Sequence, residues 1–174
     1  MPLCSRCALL GLFLALVAFT GCDTNNPGRA LDDLDGSYSV AELLFDPGAA
    51  GLQDADVAAR LSSDTQLEVF GRDGDAELTS RFGTETGRTR TSLRATATRG
   101  RVTFEAIQVD DEAELRRLLL PRTFTLSYSP DSPNSLTATL TQSGVDLQAF
   151  DSQVYQGLRS VDGTLRIRLE RITN

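Results

Sequence analysis

Leu93-Arg94-Ala95-Thr96-Ala97-Thr98-Arg99-Gly100-Arg101-Val102-Thr103-Phe104-Glu105-Ala106 reads as two strands and the turn between them. Leu93, Ala95 and Ala97 alternate with Arg94, Thr96 and Thr98. After Arg99-Gly100, Val102, Phe104 and Ala106 alternate with Arg101, Thr103 and Glu105. A period of two sends the apolar set to one face and the polar set to the other, as in a sheet buried on one side.

Six more segments carry the same period. Gly36–Phe45 opens with Tyr38 and Val40 against Ser37 and Ser39, and Thr65–Phe70 groups Leu67 with Val69. The turn Gly71-Arg72-Asp73-Gly74 leads into Asp75–Phe82, which groups Ala76, Leu78 and Phe82. Thr123–Tyr128 groups Phe124, Leu126 and Tyr128; a turn through Pro130 and Pro133 then enters Ser135–Thr141, with Leu136, Ala138 and Leu140. Thr164–Arg171 sets Leu165, Ile167 and Leu169 opposite Arg166, Arg168 and Glu170. The Leu93 strand itself starts at Arg88, so Arg88, Arg90 and Arg94 form a polar stripe, which serves as a solvated face that discourages edge pairing. Eight one-faced strands joined mainly by tight turns predict an all-β domain: an antiparallel eight-stranded barrel, or a β-sandwich as the alternative.

One or two short helices interrupt the strands. Residues 54–61 begin with acids and end near Arg60; residues 110–119 begin with Asp110, Asp111, Glu112 and Glu114 and end with Arg116-Arg117 before Pro121. Both distributions complement a helix dipole.

Ahead of the strands, Met1 to Cys7 is polar with Arg6, and Ala8 to Phe19 holds apolar residues and one glycine. That run matches the core of a secretory signal and falls short of the roughly 20 residues that span a bilayer. Phe19-Thr20-Gly21-Cys22 resembles the lipobox of bacterial lipoproteins, with Phe19 where leucine is usual. The resemblance implies cleavage before Cys22, lipid on its sulfur, and usually an acyl chain such as palmitate on the new amino terminus. The expected division is a signal peptide over 1–21, a lipidated terminus and flexible linker over 22–33, and one barrel domain over 34–174. The protein is then exported and lipid-anchored to a bacterial membrane on the periplasmic side of the envelope. Asp23 leaves the choice between inner and outer membrane open.

Without residues 1–21 the charge is 16 − 24 = −8, since the removed segment holds one of the seventeen basic residues and no acid. Such a balance argues against nucleic acid as a partner. Cys4 and Cys7 leave with the signal and Cys22 carries lipid, so the domain is held by packing without disulfides. There is no histidine and no lysine, which removes Ser-His, Cys-His and Ser-Lys nucleophilic pairs and the favoured zinc ligands. Among the carboxylates only Glu42 and Asp146 adjoin apolar strand positions, and the rest belong to polar faces, helix starts and turns. Asp33, Asp35 and Glu42 fall at calcium-loop spacings, but Leu31 stands where such a loop starts with a carboxylate. No enzyme activity, cofactor or metal is expected.

Leu34-Asp35-Gly36-Ser37-Tyr38 resembles the first strand of lipocalin-like barrels, with Tyr38 in place of their tryptophan. The resemblance implies an arginine near the end of the last strand packed over that aromatic ring, Arg168 or Arg171. It also points to the barrel interior as the ligand site. Tyr38, Val40, Leu78, Phe82, Phe104, Phe124, Tyr128, Leu140 and Ile167 are the candidate lining residues, with alanines between them leaving room. An eight-stranded barrel either fills with side chains or holds one small ligand. Two readings follow: a membrane-anchored binder of a hydrophobic small molecule or lipid, or an interaction lipoprotein with a filled core that contacts another envelope protein.

Overall fold

The computed structural model describes residues 27–83 and 85–173. The lipobox, Cys22 and Asp23 lie outside the described residues. Nine strands run in chain order: β1 (Gly36–Asp46), β2 (Ala55–Asp56), β3 (Gln66–Phe70), β4 (Asp75–Ser80), β5 (Thr89–Thr98), β6 (Arg101–Ala106), β7 (Thr123–Ser129), β8 (Ser132–Val145) and β9 (Val161–Arg171). Each of β3 to β8 pairs with its successor, β1 pairs with β3, and β9 returns to β1. Eight strands thus close a ring, and closure decides for the barrel over the sandwich. The two-residue β2 lies outside it, paired with the end of β1 through Leu44↔Asp56 and Phe45↔Ala55.

The alternation that predicted the strands is the alternation of burial. On β5, Leu93, Ala95 and Ala97 are buried while Arg90, Arg94 and Thr96 are exposed. On β6, Val102 and Phe104 are fully inside. Ala97↔Val102 and Ala95↔Phe104 pair a small residue with a larger one across the strands, so the interior fills without crowding.

The barrel has two different ends. The β3–β4, β5–β6 and β7–β8 turns gather at the end where β1 begins and β9 finishes. Helix α1 (Pro27–Asp32) closes this base, burying Leu31 and the following Leu34 in the core. Residues 27–32 were expected in a flexible linker. Leu31 and Leu34 sit one turn apart, and burial of both against the barrel stabilises a helix too short to persist alone. Gly71 allows the close seat: a Cβ there would come within 2.8 Å of the Leu31 carbonyl oxygen.

The opposite end, the mouth, carries helix α2 (Val109–Arg117) and helix α3 (Leu147–Phe150). Asp111 accepts from the Gln108 amide at 3.0 Å to cap α2, and from the Ser92 amide at 2.9 Å to tie it to β5. The helix predicted over 54–61 does not form. Ala55–Asp56 is strand β2 and Ala58–Arg60 a 3-10 turn, because the Val57 amide bonds the Leu43 carbonyl at 2.9 Å and draws Ala55 and Val57 into the core. End charges recommend a helix; eight residues make a weak one, and tertiary contacts prevail.

Candidate functional site

The nine candidate lining residues do not form one pocket. Val40, Leu78, Phe124 and Ile167 surround a cavity of about 20 Å³, together with Leu61 and Leu118. A space of that size holds one water at most. Tyr38, Phe104 and Tyr128 are buried without lining it. The Phe104 and Phe124 rings pack at 5.4 Å between centroids. Phe82 lies at the mouth, and half-buried Leu140 lines a groove between β7 and β8.

The alanines leave no room because other elements occupy it. Leu31 and Leu34 enter from the base, and Leu118 and Leu120 enter from the mouth. The hydroxyls of Tyr38 and Tyr128, the two tyrosines among the candidate lining residues, are also in use. Tyr128 donates to the Thr98 carbonyl at 3.1 Å, and Tyr38 to the Leu34 carbonyl at 3.0 Å. Burial pushes the Tyr38 phenol above its ordinary pKa, while its hydrogen bond from Arg171 pulls the other way. Of the two arginines implied by the first-strand resemblance, Arg171 is the one over Tyr38, at 5.3 Å from the ring centre. Arg168 turns outward to Glu170 at 3.1 Å.

The mouth is plugged by Leu118-Leu119-Leu120. Leu119 stands at φ 56°, the one non-glycine residue with positive φ among the described residues. It ends α2 in a Schellman turn: its amide bonds the Arg116 carbonyl at 3.0 Å, and the Leu120 amide bonds the Leu115 carbonyl at 2.9 Å. Glycine is usual there. Leucine is retained because its side chain is buried in the plug, and that burial outweighs roughly 1 kcal/mol of left-handed strain.

Above the plug opens a cleft of about 1100 Å³, with Leu119, Leu120 and Pro121 among its lining residues. Two arginine-aromatic stacks belong to its lining. Arg60 lies 4.5 Å from the Phe150 ring centre and Arg117 5.2 Å from that of Phe82. Arg60 also bonds Asp151, and that bond, with the Val154 amide second, holds the Asp151 carboxyl below its ordinary value. Arg116, paired with Glu112, and Arg122 complete the basic lining; Arg122 makes only long contacts, 3.9 Å to Glu105 and 3.7 Å to Glu112. Sequence reading missed this cleft. Its signal was the apolar run after α2, which reads as an ordinary helix face.

The carboxylates singled out by sequence are dispersed. Glu42 faces outward, 3.8 Å from both Arg166 and Arg168. Asp146 accepts from the Ala149 amide at 2.9 Å and caps α3. The Asp33 and Asp35 carbonyls both accept from Arg171. In the arginine stripe, Arg88 pairs with Asp64 at 2.8 Å, and Arg90 lies 3.6 Å from Glu77. Among the described residues no three His, Cys, Asp or Glu side chains gather as metal ligands, and no helix is long and apolar enough to cross a membrane. Comparison with protein-family models, with curated proteins and with solved structures finds no match to this chain.

Proposed function

We propose that this chain is an exported lipoprotein, anchored through lipid on Cys22, whose lipocalin-like barrel is a non-catalytic module that contacts another envelope protein. The filled interior favours the interaction reading over binding of a hydrophobic small molecule or lipid inside the barrel. A cavity of about 20 Å³ falls far below the roughly 300 Å³ that a small-molecule pocket starts from. The lipobox resemblance at Phe19-Thr20-Gly21-Cys22 supports the anchor.

Docking of α1 shortens the tether in this reading. Four residues separate Cys22 from Pro27, so the base sits within roughly 18 Å of the lipid. The mouth then points away from the membrane, farther out by the length of β1, roughly 25–30 Å after barrel tilt. The partner is met at that distance.

The test is palmitate-analogue labelling with membrane fractionation of the natural chain and of Cys22→Ala. The expected result is label and sedimentation for the former, and an unlabelled, released protein for the latter. Equal sedimentation of both would sink the anchor. A second reading rests on the mouth cleft, whose apolar lining and arginines suit an amphipathic ligand held outside the barrel. Native mass spectrometry of protein extracted from membranes tests it: lipid that departs in an Arg122→Ala variant supports this reading, and none bound to the natural chain ends it.

A further inference from the structure

The mouth cleft holds many charges, and they are matched. Each arginine of its lining stands beside a carboxylate: Arg60 by Asp151, Arg116 by Glu112, and Arg117 by Glu85 and Glu114. Arg122 lies between Glu105 and Glu112 at longer range. An anionic ligand is opposed by those carboxylates and a cationic one by the arginines, so neither sign is favoured.

The lining offers instead unused hydrogen-bonding capacity of both kinds. Glu85 accepts from Arg117 through Oε1, and Asp146 accepts from the Ala149 amide through Oδ1. The second oxygen of each has no partner among the described residues. Gln142 spends Nε2 on the Leu119 carbonyl at 2.9 Å and keeps Oε1 as an acceptor. Arg122 is a fork of donors whose contacts, 3.9 Å and 3.7 Å, are too long for hydrogen bonds. Interspersed with these groups are apolar surfaces, namely half-buried Pro121 and Val145 and the half-buried rings of Phe82 and Phe150.

Donors and acceptors side by side match a ligand whose polar groups are hydroxyls, because a hydroxyl donates and accepts at once. A carboxylate uses donors only. An acyl chain uses neither and would cover polar groups without pairing them, which costs free energy. A polypeptide segment is held by a row of backbone bonds or by separate side-chain pockets, whereas here scattered side chains surround one undivided cleft.

We propose that the mouth cleft is a saccharide-binding site for a neutral oligosaccharide. Glu85, Asp146, Gln142 and Arg122 bond its hydroxyls, and Phe82 and Phe150 receive the apolar C–H faces of its rings. Bonds to the ionised Glu85 and Arg122 are charge-assisted, the stronger class. The cleft, about 1100 Å³, matches the upper end of the roughly 300–1,000 Å³ range of ligand sites and has room for more than one sugar ring. The site goes beyond the envelope-protein reading and needs neither lipid on Cys22 nor a protein partner. Its ligand also differs in chemistry from the amphiphile of the second reading.

Ligand-observed NMR on the full-length chain, in micelles of a detergent without a sugar headgroup, tests this. The probes are two neutral tetrasaccharides, one of glucose and one of N-acetylglucosamine, with a tetrasaccharide containing glucuronic acid as the charged control. Saturable binding of at least one neutral probe is expected, with the control about tenfold weaker. Glu85→Gln keeps the side chain's shape and removes its charge. Ala113→Leu fills part of the cleft from an exposed position in the middle of α2. Each is expected to weaken binding about tenfold at an unchanged thermal midpoint. Should Ala113→Leu lower that midpoint, Ala149→Leu, at another exposed lining position, takes its place. Binding of neither neutral probe, binding left unchanged by either variant, or tighter binding of the charged control overturns the proposal. Lipid held in the cleft that neither neutral probe displaces overturns it and keeps the second reading. The titration is expected to give the same result on Cys22→Ala, so failure of the anchor and failure of the saccharide site are read separately.

Discussion

Arg171 donates to the Tyr38 hydroxyl oxygen at 3.0 Å while lying over the Tyr38 ring. Its Nη2 also reaches the Asp33 carbonyl at 2.9 Å and the Asp35 carbonyl at 3.0 Å. One guanidinium therefore ties the last strand to the first and to the segment leaving α1. The five fixed donors of arginine make this geometry possible.

Replacing Arg171 with methionine keeps a long apolar stem and removes every donor. The Asp33 and Asp35 carbonyls and the Tyr38 oxygen lose a partner together. The expected cost is about 2–3 kcal/mol, read from the urea midpoint. Arg171→Lys is expected to recover less than half, since one ammonium cannot reproduce the fork.

Gly71→Ala tests the seat of α1. The added methyl meets the Leu31 carbonyl oxygen and Asp32 Cα, each at 2.8 Å, and both are backbone atoms that cannot swing aside. The helix lifts, Leu31 loses burial, and stability falls by about 1–3 kcal/mol. Limited proteolysis is expected to cut within residues 27–33 in the variant before it does so in the natural chain.

Thr91 is fully buried on β5, and its hydroxyl has no hydrogen-bond partner among the described residues. Thr91→Val keeps the shape and removes the unsatisfied group. A gain of about 1 kcal/mol is expected, seen as a higher thermal midpoint. A loss would mean that the hydroxyl is satisfied in solution.

Leu119→Gly sets backbone relief against lost packing. Glycine removes roughly 1 kcal/mol of left-handed strain, but deleting a buried leucine side chain costs about 2–5 kcal/mol. The net expectation is destabilisation by about 1–4 kcal/mol, by denaturant titration. Stabilisation would show that the side chain is dispensable to the plug.

Stability should be flat between about pH 5 and 9 and fall on either side. The chain has no histidine to titrate in that window. Tyr38 and Tyr155 are held above their ordinary values, first by burial. The unfolded chain therefore ionises first above about pH 10, and stability drops as pH rises through the folded values. Asp64 is held low by its hydrogen bond with Ser62 first, and Asp151 by that from Arg60. Below about pH 4 the unfolded chain takes up protons first, and stability drops again. Urea midpoints measured across the range check both limbs.

Strand positions and faces were legible in the sequence because a one-faced sheet writes its burial into a period of two. Leu93, Ala95 and Ala97 announced their side of β5 without any knowledge of neighbours, and tight turns implied antiparallel pairing. The capped helix α2 was legible for a similar local reason, in its early acids and late arginines. What residues 27–34 and 55–57 do was not, since Leu31, Leu34, Ala55 and Val57 are placed by contacts with strands far along the chain. The site was least legible of all. Period two says that Val40, Leu78, Phe124 and Ile167 face inward, but not whether the space between them stays open. That depended on where Leu118 and Leu120 end up, and on Leu119 accepting a backbone conformation usually left to glycine. Local chemistry determines that a strand forms and which way its side chains point; only the closed tertiary structure decides which edges meet and which spaces are filled.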